Sequence, residues 1–362
     1  MPVPVTMRKR GGGAAPSRRF HGETPAMTTH AVEDDPQSTS PAQKPLFDYL
    51  PVSLFGAVMG LMGLSVGWRL ASARYGLPML IGDVIGWSAL AVFVVLALAY
   101  AAKSVTAWQS VLIEFRHPIA GNLFGTVLIS LLLLPFVLQP LIPSLAASIW
   151  ILGTGGMVVF ALLIVSRWMG SRHQLAHATP AWIVPVVGLL DVPLAAPALS
   201  LPHTQTVVMF SLSVGLFFAI PLFTLVFARL LFEEPLAPAQ RPTLMILVAP
   251  FAVGFSSYVA TFGRIDAFAE ALFLIALFVF AVLAGRLRDL PLCCPFRVSW
   301  WAVSFPSAAM AVAALRYAGH VQAIAADALA LLLLALATVI IAGLALRTLV
   351  GIARGELRSL AS

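Results

Sequence analysis

From Pro51 onward the chain is a succession of long apolar runs separated by short polar loops, and ten of them can be counted. Their approximate spans are 51–73, 80–102, 119–139, 143–168, 180–199, 205–231, 243–262, 266–289, 296–317 and 324–348. A run of about twenty apolar residues is long enough to cross the hydrocarbon core of a bilayer as an α-helix. The fifth run is crowded by Pro180, Pro185, Pro193 and Pro197, and is kept because removing it would break the charge pattern of the loops. Composition agrees with this reading. Of 362 residues 60% are hydrophobic and only 10% charged, which fits a polytopic, all-α integral membrane protein and excludes a soluble enzyme.

The loops carry a second signal. Only Arg69, Arg74, Arg264 and Arg316 fall on one side of the membrane, so 18 of the 22 Lys and Arg residues lie on the side of the two termini. The positive-inside rule then puts both termini in the cytoplasm of a protein of the inner (plasma) membrane. The net charge of +7 belongs to those loops and implies no nucleic acid partner. Residues 1–45 are rich in Gly, Pro, Ser, Thr and charge, with no apolar period, and read as a disordered tail. The membrane domain then covers 46–350, leaving a short cytoplasmic tail over 351–362. No GxxxxGK[ST] phosphate loop occurs, and the adjacent Cys293 and Cys294 make neither a disulfide framework nor a zinc site, so no cofactor is implied.

Prolines suggest how the helices are arranged. After the first, every odd run carries one well inside its span: Pro135, Pro185, Pro250 and Pro306. Among the even runs only the sixth does, at Pro221. Interior prolines are tolerated where neighbours or a water-filled cavity satisfy the freed backbone. The pattern points to five hairpins, each an inner odd helix followed by an outer even one, with the inner helices ringed around a central pore.

The ninth run is the most informative stretch. Phe305 lies ten residues in from Pro295, roughly 15 Å deep and close to the midplane. Pro306 follows and should kink the helix beside the ring. Beyond it, Ser307, Ala308, Ala309, Ala311, Ala313 and Ala314 give a small-residue wall. On these residues alone the phenylalanine is either a plug in a narrow pore or an ordinary packed ring.

Five short stretches, in order and in register on the ten runs, carry a family resemblance. They are Leu50-Pro-Val-Ser-Leu-Phe-Gly-Ala-Val-Met-Gly60 in the first run, and Glu114-Phe-Arg-His-Pro118 with Asn122-Leu-Phe-Gly-Thr126 leading into the third. Thr179-Pro-Ala-Trp-Ile-Val-Pro-Val-Val-Gly188 follows in the fifth. Arg241-Pro-Thr243 with Ala249-Pro250 in the seventh and Trp300-Trp-Ala-Val-Ser-Phe-Pro306 in the ninth complete the set. Over roughly 50–348 the chain resembles the tellurite-resistance/dicarboxylate transporter family, which includes bacterial tellurite-resistance membrane proteins, fungal malate and sulfite transporters, and the slow anion channels of plant guard cells. The resemblance implies a ten-helix bundle of five quasi-repeated hairpins, one pore per subunit, a homotrimer, and a phenylalanine matching Phe305 that occludes the pore. Phe55, Phe124 and Phe262 also sit on odd runs and are the other candidates for that role. For the trimer contact the even runs offer small residues suited to close packing, Ala342, Gly343 and Ala345 in the tenth and Gly82 and Gly86 in the second.

Few polar residues compete with the phenylalanine. Arg316, near the outer end of the ninth run, either steers anions at a vestibule or snorkels to the interface. Asp191 either faces the lumen, where a protonated carboxyl could couple transport to H⁺, or sits in a hydrated outer vestibule if the fifth helix breaks before Pro193. Asp83, Asp266 and Glu270 read as interfacial. His173 and His177 have a metal-like i, i+4 spacing but no third ligand, and read as a solvated loop. Glu114 and His117 read as structural, pairing between loops. Two functions follow: a gated channel for small anions such as chloride or nitrate, or a proton-coupled carrier of C4-dicarboxylates or oxyanions such as malate, sulfite or tellurite. A membrane enzyme would need a nucleophile–base set or clustered ligands inside the spans, and none is visible.

Overall fold

The computed structural model describes residues 47–361; the expected N-terminal tail over 1–45 lies outside them. Among the described residues, ten helices are long and apolar enough to cross a membrane. They are α1 (Val52–Tyr75), α2 (Met79–Thr106), α3 (Ala120–Leu138), α4 (Pro143–Gly170) and α5 (Pro180–Leu199), followed by α6 (Gln205–Phe232), α7 (Pro238–Phe262), α8 (Ala267–Cys293), α9 (Val298–Val321) and α10 (Ile324–Ala353). All ten expected runs are present, with ends shifted by a few residues.

Odd and even helices are built differently. The even helices are 27 to 30 residues long, enough at 1.5 Å per residue to cross the core and both interfaces. The odd helices have 19 to 25 residues. Each odd helix starts as a 3-10 segment: Val52–Leu54, Ala120–Phe124, Pro180–Ile183, Pro238–Val248 and Val298–Val303. The steeper rise of about 2 Å per residue stretches these shorter helices across the bilayer. Three of the four expected kink prolines sit where 3-10 gives way to α. Pro185 and Pro250 are second in their α segments, and Pro306 is third in Ser304–Val321. Pro135 opens Pro135–Leu138 after a break at Leu134. The backbone therefore changes its hydrogen-bonding pattern at these points, and the missing proline N–H falls in a first helical turn, where it costs least. Pro221, by contrast, lies inside an unbroken helix.

Burial follows the same alternation. In α1, α3, α5, α7 and α9 between 67% and 78% of the apolar window is buried, against 11% to 39% in the even helices. Large apolar side chains such as Leu98, Phe217, Phe278 and Val339 are exposed on the even helices, as a lipid-facing surface requires. The odd helices are the inner layer and the even helices the outer one.

The tightest inner contact joins α1 to α9. Gly56, Gly60, Gly63 and Gly67 recur at i, i+4, i+7 and i+11 and form one face of α1. A Cβ at Gly60 would stand 2.2 Å from Ser304 Oγ and 2.4 Å from Ser304 Cβ; one at Gly63 would meet Ala308 Cβ at 2.9 Å. Only glycine permits this approach, and Ser304 Oγ uses it to reach the Gly56 carbonyl at 3.2 Å. In α2, Gly82 and Gly86 are likewise filled by Arg69, Ser65 and Val137 of the same chain. These two glycines, which the sequence offers as an intersubunit contact, are thus spent inside the subunit, while Gly343 of α10 remains open.

Polar side chains clamp the helix ends. Glu114, on a short helix before α3, accepts from the Val52 N–H at 2.7 Å and pairs with buried Lys103 at 2.7 Å. It thereby caps α1, which gives its structural role a definite form. On the opposite side Arg74 and the Tyr75 hydroxyl both bind Asp327, at 2.7 and 2.6 Å. The C-terminal residues do not trail free: Leu360 packs with Leu50, Leu54 and Val298, and Arg297 donates to the Ser359 carbonyl at 3.2 Å.

Candidate functional site

Two cavities lie inside the odd-helix layer, one beyond the other, and α1, α3, α5, α7 and α9 contribute to the walls of both. No even helix lines either. The first, of about 120 Å³, lies toward the ends where the odd helices begin; the second, of about 40 Å³, lies toward the ends where they finish. The walls pass from one to the other by about a turn in each helix: Met59 to Gly63, Ile129 to Leu133, Asp191 to Leu194. Phe305 and Val253 line both cavities.

Phe305 holds this position because of its local backbone. It is the second residue of the α segment, directly after the 3-10 turns, with 8% of its surface exposed. Its ring lies over Gly63, where a Cβ would be 3.6 Å from Phe305 Cδ2. Pro306 lines the first cavity beside it. Pro135, Pro185 and Pro250 line neither cavity and act on the backbone instead.

The first cavity is almost wholly apolar. Three of its four hydroxyls turn back to the main chain: Thr126 Oγ1 donates to the Leu123 carbonyl at 2.7 Å, Thr243 to Gln240 at 2.6 Å and Ser299 to Ala239 at 2.5 Å. Asp191 is its sole charged side chain. The residue ends a 3-10 turn, Gly188–Asp191, and is 2% exposed, with Oδ1 lacking any hydrogen-bond partner. Asp191 is therefore a buried carboxyl in the wall of this cavity. Every odd helix also gives this cavity a residue from the first turn of an α segment: Gly56, Thr126, Val184, Ala249 and Phe305.

Arg316 is the sole charged residue of the second cavity, and Ser256 is its sole hydroxyl. Phe305, Ala309, Val312 and Arg316 follow at i, i+4, i+7 and i+11, so one stripe of α9 runs from Phe305 to the guanidinium. Ser256 was not singled out from the sequence; its place two turns beyond Ala249 on the Ala249–Val253–Ser256 stripe of α7 was the available signal.

The other phenylalanines lie elsewhere. Phe55 is 2% exposed and packs edge-on against Phe93 and Tyr100 of α2, at 5.9 and 6.3 Å between centroids. Phe124 meets Phe115 at 5.1 Å, and Phe262 is 41% exposed at the end of α7. None of the three lines either cavity. A larger groove of about 620 Å³ opens on the outside, between α8 and α10, and does not communicate through the lining residues with this axis.

A ten-helix membrane protein with two cavities walled by its inner helices has the build of a channel or transporter. The chain matches over residues 49–349 the family described as SLAC1, voltage-dependent anion channel, and belongs to it. It is 27% identical over 350 residues to the S-type anion channel SLAH3 of Arabidopsis thaliana, covering 93% of this chain and 54% of that protein. To the guard cell S-type anion channel SLAC1 of the same plant it is 26% identical over 319 residues, covering 85% of this chain and 56% of the relative. To the tellurite resistance protein TehA homolog of Haemophilus influenzae it is 27% identical over 279 residues, covering 74% and 81%. The chain thus spans a little over half the length of these two plant relatives. The match covers all five stretches on which the resemblance was drawn.

Proposed function

We propose that the protein is a gated channel for small anions, in which the Phe305 ring blocks a pore running through each subunit. One observation carries this reading: two cavities, each walled by all five inner helices, meet at Phe305 and Val253. The family and the plant anion channels it contains support the ion class. The positive-inside asymmetry supports an orientation in the plasma membrane with both termini cytoplasmic. We take the assembly to be a homotrimer, as the resemblance implies, with the open face of α10 around Gly343 available for close packing. Mass measurement of the solubilised particle tests it, and a conducting monomer would overturn it.

A second reading, a proton-coupled carrier of dicarboxylates or oxyanions, is favoured by Asp191, a buried carboxyl in the cavity wall. Reconstituted liposomes separate the two. A channel passes anions down their own gradient and the voltage, with no stoichiometric protons. A carrier accumulates substrate when a pH gradient alone is imposed. Uphill accumulation under those conditions would overturn the channel reading.

A further inference from the structure

We infer that the second cavity is an anion-binding subsite, formed by the Arg316 guanidinium and the Ser256 hydroxyl, for one small monovalent inorganic anion. Both residues line the same cavity, beyond Phe305. Ser256 is 3% exposed and its Oγ has no hydrogen-bond partner. Arg316 Nε is buried without a partner, and no carboxylate pairs with this arginine among the described residues. Buried polar groups are normally satisfied, so two unsatisfied groups facing one cavity point to a missing acceptor. A guanidinium and a hydroxyl can both donate to it, and the charge on the former requires an anion.

Size sets the class of ligand. A cavity of about 40 Å³ holds on the order of three water molecules. Chloride or nitrate fits such a space; a C4-dicarboxylate does not. The remaining walls, Gly63, Val66, Leu133, Leu194 and Val312, are apolar and offer no cation to a second negative charge.

Binding is measured apart from conduction, so its failure and that of the channel reading are distinguishable. The full-length protein in detergent is titrated with potassium nitrate or chloride against gluconate at constant ionic strength, following thermal unfolding. The parent protein should show a saturable stabilisation. Arg316→Gln should weaken the apparent affinity about tenfold or more, since a charge-assisted contact is lost. Ser256→Ala, a smaller change that keeps the fold, should weaken it by a few-fold, and Arg316→Lys should fall between parent and Arg316→Gln. Unchanged affinity in both Arg316→Gln and Ser256→Ala would overturn the site, as would Arg316-dependent saturation by malate. Intact binding in a protein that passes no anion would leave the subsite standing and remove the channel.

Discussion

The same five helices wall both cavities, and the two spaces differ in what their few polar groups present. Toward the beginning of the odd helices the wall holds a lone carboxyl, Asp191, and four hydroxyls, three of them turned to the main chain. Toward their ends it holds a guanidinium and a hydroxyl with no protein partner. On the channel reading proposed above, an anion crossing between them leaves a nearly apolar space and meets one favoured by a formal charge, with the uncharged ring of Phe305 between the two. On that reading the contrast teaches that positive charge is concentrated on one side and that the divide is steric.

The largest effect should come from removing that divide. Phe305→Ala joins the two cavities and should raise anion flux strongly in liposomes, normalised to folded protein. Phe305→Leu keeps bulk without the flat ring and should conduct less than the alanine variant. Phe55→Ala and Phe262→Ala serve as controls, because their rings line neither space. A ring that merely packs would behave otherwise: its truncation would cost about 3–5 kcal/mol of stability and create no flux. If Phe55→Ala or Phe262→Ala opens the pore and Phe305→Ala does not, the gate lies elsewhere.

Asp191 tests the other side of the comparison, with a smaller effect. As the sole titratable side chain of the first cavity, it opposes an anion when ionised and not when protonated. Flux in the parent protein should therefore increase as pH falls through the group's titration. Asp191→Asn should keep conduction and flatten that dependence. Loss of all substrate accumulation in folded Asp191→Asn would favour the coupled carrier instead.

A backbone prediction comes next, because the divide depends on how closely α1 approaches α9. Gly60→Ala places a Cβ about where Ser304 Oγ now sits. Neither atom belongs to a long flexible side chain, so the helices must part. Overpacking of this kind costs about 1–3 kcal/mol, to be read as a lower melting temperature. Gly76→Ala lacks any such clash, having nothing within 4 Å, but its φ of 69° strains a residue with a side chain. An unaltered melting temperature for Gly60→Ala would show that the two helices are less tightly joined than these distances require.

Much of the architecture was legible in the sequence because the bilayer imposes it. Length and hydropathy locate ten helices, and the prolines of the odd runs single out the inner layer. The 3-10 beginnings were not legible: they depend on how Pro51, Pro180, Pro238 and neighbouring residues settle at the helix starts, and hydropathy does not distinguish a rise of 1.5 from about 2 Å per residue. Asp191 and Arg316 were visible as residues, yet which cavity each would line depends on helix rotation. Ser256 and Val253 were missed because a serine or valine on an apolar helix looks the same whether it faces lipid, a neighbour or a lumen. Gly82 and Gly86 show the reverse failure. Small residues suit a subunit contact and an internal contact equally well, and the chain uses these internally.

The smallest effect concerns Val253, which shares the divide with Phe305. It is 3% exposed and sits one helical turn before Ser256 on the stripe of α7 that faces the axis. Val253→Ala removes two methyl groups, which should cost about 1–2 kcal/mol of stability. Because the phenyl ring remains, the space opened is smaller than in Phe305→Ala, so flux should increase only slightly. In the Phe305→Ala background the same change widens a passage already open and should add less again. That non-additivity is the signature of two side chains closing one constriction. Independent effects that simply multiply would place Val253 outside the divide, and a Val253→Ala flux equal to that of Phe305→Ala would make the gate a pair and not a single ring.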